Sequence, residues 1–143
     1  MKIVLVGHGH FATGIYSSLQ LIAGNQENVE AIDFVEGMSA DELKQKILLA
    51  ISNEEEVLIL SDLLGGSPFK VSSTMGENPA KTVNVLSGLN LAMLMEAVFA
   101  RMAHSFDEVV NKSVVVAQGG VVNGKELFST DAEEEEEDFE SGI

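Results

Sequence analysis

The 143 residues carry eight basic and 23 acidic side chains, for a net charge of −15, with 45% hydrophobic residues, two prolines and no cysteine. This length fits one domain with a self-sufficient core, and it excludes disulfides, thiolate metal sites and thiol nucleophiles. The composition offers no basic face for nucleic acid, and no apolar run approaches the ~18 residues of a membrane span, so a cytoplasmic chain with a cationic partner is expected.

The opening Met1–Gly7 run is too short and too strand-like for a signal peptide. Ile3–Val6, a continuous apolar run ending at Gly7, predicts a strand buried on both faces. Phe11, Ile15, Leu19, Ile22 and Ala23 recur at helical spacing, Gly14 weakens that helix, and Gly24-Asn25 ends it. Val29–Phe34 predicts a second strand. Ser39-Ala40-Asp41-Glu42 is a capping box for a helix with Leu43, Ile47, Ala50 and Ile51 on one face.

Val57–Leu60 predicts a third strand running into Ser61-Asp62. Gly65-Gly66-Ser67-Pro68 opens the next helix, with Ser67 as N-cap and Pro68 at the first helical position. Lys81–Leu86 predicts a fourth strand, Ser87-Gly88 a turn, and Asn90 an N-cap for a helix bearing Leu91, Leu94, Met95, Val98 and Met102, where Met93, Met95 and Met102 read as core filler. His104 follows that helix and suits its negative end. Val114-Val115-Val116 has strand propensity, but Phe106, Val109, Val110, Ser113, Val114 and Ala117 keep the helical period, and a helix is expected.

Residues 1–130 form the expected domain, with eight basic and fifteen acidic residues. The segment 131–143 holds the other eight acids and no base, and is expected to be a solvated, mobile terminus. Four strand–helix alternations predict an α/β fold with a mainly parallel four-stranded sheet covered on both faces. With the order 2-1-3-4, ligands belong beyond the ends of the first and third strands, where Gly7-His8-Gly9-His10 and Ser61 to Ser67 lie.

A histidine beside an aspartate at that place supplies what phosphoryl transfer requires. His8 is the candidate nucleophile, because neutral imidazole keeps a lone pair near pH 7. Asp62 can accept the other ring N–H, fixing the tautomer and steadying the charge that develops on the ring. Backbone at Gly9, Gly65, Gly66 and Ser67 can hold phosphoryl oxygens without a lysine. Ser67 can be cap and cradle together, and His10 is either a second proton carrier or a structural side chain, with the structural role favoured.

Three ordered blocks carry a family resemblance. Gly7-His8-Gly9-His10-Phe11-Ala12 is similar to a "His-Gly-x-Phe/Trp-Ala" signature, Asp62-Leu63-Leu64-Gly65-Gly66-Ser67-Pro68-Phe69 to "Asp-x-x-Gly-Gly-Ser/Thr-Pro-Phe", and Ser87 to Leu94 to "Gly-x-Asn-x-x-Met-Leu". These are signatures of the IIA components of the mannose-family sugar phosphotransferase system, and the resemblance runs over roughly residues 1–120. It implies phosphorylation of His8, an orienting Asp62, and phosphate contacts at Gly65, Gly66 and Ser67. It further implies a cytoplasmic homodimer that takes a phosphoryl group from the phosphocarrier HPr and gives it to a IIB domain, with IIC and IID membrane subunits downstream and no cofactor. An extra strand exchanged between protomers is implied somewhere after the fourth helix, and Val114–Val116 is the segment it most endangers. Leu64 and Gly7 resemble the amino-sugar, N-acetylgalactosamine branch.

Other readings fit less well. Gly7-x-Gly9-x-x-Ala12, with Asp33 about 20 residues on, formally satisfies a dinucleotide fingerprint, but one four-stranded unit is half of such a site and His10 would crowd the turn. Asp62 at a strand end resembles a receiver phosphoacceptor, yet histidines replace the acidic pair that would bind magnesium. His8, His10 and Asp62 could ligate zinc, a weak signal in a tight loop.

Overall fold

A computed structural model describes residues 1–129; the acidic segment 131–143 lies outside the described residues. In chain order the elements are β1 (Lys2–His8), α1 (Phe11–Ala23), β2 (Val29–Phe34), α2 (Ala40–Ile51), β3 (Glu56–Ser61), α3 (Ser67–Ser73) with a 3₁₀ turn at Thr74–Glu77, β4 (Thr82–Leu86), α4 (Leu91–Ala100), α5 (Phe106–Gly119) and α6 (Gly124–Ser129). The sheet is wholly parallel in the order β2-β1-β3-β4. Strand order therefore reverses between β1 and β3, as expected.

Alternation along the two central strands divides the core. Ile3, Leu5, Leu58 and Leu60 face one side, where Ala12 and Leu19 of α1, Leu94 and Val98 of α4, and Val109 of α5 bury them. Val4, Val6, Val57 and Ile59 face the other, against Leu43, Ile47 and Ile51 of α2 and Met75 of the 3₁₀ turn. Continuous apolar strands are what a sheet sandwiched between helices requires. Both central strands end under these layers, so their last residues emerge at one rim.

Local signals set the helix ends. Ser39 and Glu42 satisfy each other's free N–H groups at α2, and Asn90 accepts from Met93 N–H at α4. At α3 the expected cap shifts by one residue. Gly66 has extended cap geometry (φ −69°, ψ 166°), so Ser67 is already helical and its hydroxyl caps nothing. Pro68, lacking an N–H, is as acceptable one place further into the first turn.

Two further expectations change. Helix α4 stops at Ala100, so Met102 falls in the following turn and is 79% exposed, whereas Met93 is buried. His104 donates its main-chain N–H to Ala100 O (3.0 Å), but its ring faces Glu108 of α5 at 3.7 Å. Val114–Val116 is helical. Ser105 and Glu108 form a second capping box that starts α5, and its buried face carries Phe106, Val109, Val110, Ser113 and Ala117.

Candidate active site

The end of β1 places His8 at the rim, and the end of β3 delivers Asp62 beside it. Asp62 main-chain N–H donates to Val6 O (3.2 Å), which continues the ladder one step past β3 and fixes where the carboxylate starts. One carboxylate oxygen, Oδ2, then accepts from His8 N–H (2.9 Å) and lies 2.7 Å from His8 Nδ1. The other, Oδ1, accepts from Leu63 N–H (2.8 Å). Burial alone would raise the Asp62 carboxyl, but the hydrogen bonds from His8 and Leu63, together with the attraction to His8, outweigh it and hold the group below its ordinary value.

An ionised carboxylate only accepts, so the Nδ1 facing it carries the proton and Nε2 keeps its lone pair. The Asp62 side chain is 11% exposed and the His8 side chain 46% exposed. The carboxylate is thus sheltered while the imidazole is reachable. Phe34, at the end of β2 and paired with His8 across the sheet, packs against the imidazole in a T-shaped contact with centroids 5.9 Å apart. Sequence reasoning did not single out Phe34; its place as the last residue of the strand beside β1 was the available signal.

Glycines let the groups approach. A Cβ on Gly66 would lie 2.8 Å from His8 Cε1 and 3.4 Å from Leu63 O, and one on Gly7 would lie 2.9 Å from Phe11 Cδ1 and 3.3 Å from Asp62 Cβ. Gly9 has φ 57°, a left-handed turn that ends β1 and starts α1. Of the four expected phosphate contacts, Gly9 N–H is donated to Phe34 O (2.8 Å) and Gly66 N–H to Leu63 O (3.1 Å). Among the described residues, no acceptor engages the N–H of Gly65 or Ser67, and nothing engages the Ser67 hydroxyl. Those three donors, beside the imidazole edge that overhangs Gly66, are free for an anion.

The remaining sequence candidates separate. His10 turns away from His8 to the far side of β1, where its Nδ1 lies 3.1 Å from Asp33 Oδ2. Asp33 also accepts from Thr13 N–H (3.0 Å) and Thr13 Oγ (2.6 Å), so it caps α1 from the end of β2. The residue that a dinucleotide fingerprint would place on a ribose is therefore engaged by the protein itself. The two imidazoles face different carboxylates, and no group of three or more metal-ligating side chains gathers among the described residues.

Known proteins resemble the chain in both sequence and fold. Residues 2–114 match the family model EIIA-man, described as the PTS system fructose IIA component. The chain belongs to the mannose-family IIA components of the sugar phosphotransferase system. It is 37% identical over 125 residues to the mannose-specific EIIAB component of Escherichia coli K12, covering 85% of this chain but 38% of that relative. It is 28% identical over 138 residues to the sorbose-specific EIIA component of Lacticaseibacillus casei, covering 95% and 99%. The crystal structure of a phosphotransferase system component EIIA from Streptococcus agalactiae superposes with a TM-score of 0.83 at 46% identity, over 85% of this chain and 95% of that one. Nothing in these matches favours the dinucleotide reading. No helix among the described residues is long and apolar enough to cross a membrane.

Proposed function

We propose that this IIA component is a cytoplasmic phosphocarrier that accepts a phosphoryl group on His8 Nε2 from HPr and passes it to a IIB domain, supporting sugar uptake through IIC and IID subunits. The observation that carries this reading is the 2.7 Å contact between His8 Nδ1 and Asp62, which holds a proton on Nδ1, so that the lone pair of the neutral ring lies on Nε2 of a half-exposed side chain. In the loading step Nε2 attacks phosphorus, the donor N–P bond breaks, and the donor imidazole leaves with the electron pair. As the His8 ring gains positive character, ionised Asp62 stabilises it through the Nδ1 proton. The N–H groups of Gly65 and Ser67 and the Ser67 hydroxyl receive the phosphoryl oxygens. Gly66 contributes by having no side chain, and Gly9 by bending the chain so that His8 is presented. Unloading to IIB is the same displacement in reverse, and neither direction calls for a metal or cofactor.

The surface beside β4 fits a homodimer. Among the described residues strand β4 is an open edge, and next to it a groove of about 450 Å³ is lined by Phe69, Leu86, Met93, Val114 and Val121. A strand supplied by a second protomer would satisfy that edge and fill the groove.

The test is incubation of the full chain with the general phosphotransferase proteins and phosphoenolpyruvate, followed by peptide localisation of phosphate and by addition of IIB. Phosphate is expected on His8, and His8→Gln is expected to abolish transfer to IIB. A His8→Gln protein that still passes phosphate to IIB at the wild-type rate overturns the assignment.

A further inference from the structure

Strand β1 lies between two strands that each carry a carboxylate near the C-terminal end, Asp33 as the penultimate residue of β2 and Asp62 immediately after β3. The turn His8-Gly9-His10 offers an imidazole to each. His10 repeats the arrangement of His8: Nδ1 lies 3.1 Å from Asp33 Oδ2, as His8 Nδ1 lies 2.7 Å from Asp62 Oδ2. Asp33, 14% exposed, is held in place by both the N–H and the hydroxyl of Thr13, and the His10 side chain is 85% exposed. His10 also occupies the N-cap position of the 13-residue α1, without a side-chain capping bond.

We propose that His10 is a second phosphoryl acceptor, loaded on Nε2 by a phosphoramidate donor, either a protein phosphohistidine or a small N-phosphoryl compound. Asp33 fixes the proton on Nδ1 and so leaves the lone pair on the exposed nitrogen. The donor N–P bond breaks as the Nε2–P bond forms, the electron pair stays with the leaving nitrogen, and the Nδ1 proton remains directed at Asp33. The new dianion sits near the positive end of α1, where negative charge is favoured. Burial alone would raise the Asp33 carboxyl, but the bonds from Thr13 and His10 outweigh it, so the orienting group is an anion at neutral pH. The inference rests on the reading of this chain as a phosphocarrier but not on His8 itself, because the two imidazoles face opposite neighbours of β1.

The experiment treats full-chain wild type, His8→Gln, His10→Gln and the double variant with either phosphorylated HPr or potassium phosphoramidate. Intact mass and peptide localisation are read above neutral pH, where phosphohistidine survives. Two phosphoryl groups are expected on wild type, one on His10 in His8→Gln, one on His8 in His10→Gln, and none at either position in the double variant. Loading of His10 by HPr identifies a protein donor, and loading only by phosphoramidate identifies a small-molecule donor; loading by neither overturns the proposal. His104, whose nearest carboxylate is 3.7 Å away, is the internal reference. His10 should label at least roughly ten times faster than His104, and Asp33→Asn should remove that advantage. Equal labelling of His10 and His104 reduces His10 to an exposed ring and overturns the proposal. Loss of all labelling in His8→Gln defeats it while leaving His8 intact, whereas labelling confined to His10 defeats the His8 assignment instead.

Discussion

Replacing Asp62 by asparagine keeps the shape of the side chain and removes its charge, and the structure shows why the two oxygens cannot both be mimicked. If the amide oxygen takes the place of Oδ1, it still accepts from Leu63 N–H, but the NH₂ then meets His8 N–H and drives Nδ1 to become an acceptor. The ring proton moves to Nε2, and the outward nitrogen loses its lone pair. If the oxygen takes the place of Oδ2, both His8 contacts survive but become neutral, and the NH₂ opposes Leu63 N–H. The first orientation removes the nucleophile; the second weakens a charge-assisted hydrogen bond worth about 1.5–3 kcal/mol and leaves a donor facing a donor. Together these place the loss at about 3–4 kcal/mol of transition-state stabilisation, or roughly 10²- to 10³-fold in rate. Rapid-quench phosphorylation by HPr, read by intact mass, measures it directly. A urea midpoint close to wild type would show that the fold is retained. A loss below about fivefold would refute the claim that Asp62 fixes the tautomer.

Gly66→Ala should slow phosphorylation of His8 by about tenfold or more, because its Cβ would lie 2.8 Å from a ring held by Asp62 and Phe34; the same quench assay checks it, and an unchanged rate contradicts the proposed cradle. Arg101→Met should destabilise the protein by about 1–3 kcal/mol in urea unfolding, since the guanidinium donates to Met1 O (3.4 Å), Asn28 O (3.2 Å) and Glu27 O and ties the end of α4 to the α1–β2 loop. Asp33 and Asp62 are both held below the ordinary 3.8. The folded state therefore binds fewer protons than the unfolded one in acid, and the stability they contribute is complete above about pH 5 and lost as pH falls through 3.8 and below. An Asp33→Asn/Asp62→Asn variant should show a flatter decline over that window in urea titrations; a slope equal to wild type contradicts the assignment.

Much of the fold is written locally. The apolar runs of β1 and β3 and the 3.6-residue spacing of α1 specify their elements, and strands alternating with helices specify a parallel sheet, while the order 2-1-3-4 is an expectation that the tertiary pairing bears out. The ambiguous stretch was Val114–Val116, where β-branching and helical period disagree; Ser105-x-x-Glu108, a capping box nine residues upstream, is the local signal that decides it. Met102 shows the limit of periodicity, which continues on paper after Ala100 has ended the helix. His8 and Asp62 were legible because each sits two residues past an apolar run, Ile3–Val6 and Val57–Leu60. Phe34 and the Asp33–Thr13–His10 cluster were not, because their meaning depends on which strand lies beside β1, a tertiary fact that no spacing encodes. Lys81, read as the start of β4, instead donates its ammonium to Ile51 O, Ser52 O and Glu54 O, closing the C-terminus of α2.

One oxygen of Asp62 grips both the main chain and the ring of His8, so the imidazole cannot turn over to show its other nitrogen. On the proposed function, every visitor to His8 would use the same doorway. A protein that brings phosphorus to His8 and a protein that collects it from His8 would then be mutually exclusive guests, and traffic through that imidazole would proceed by strict alternation. Crowding by an emptied supplier should then throttle delivery to the collector, in the manner of a ping-pong system.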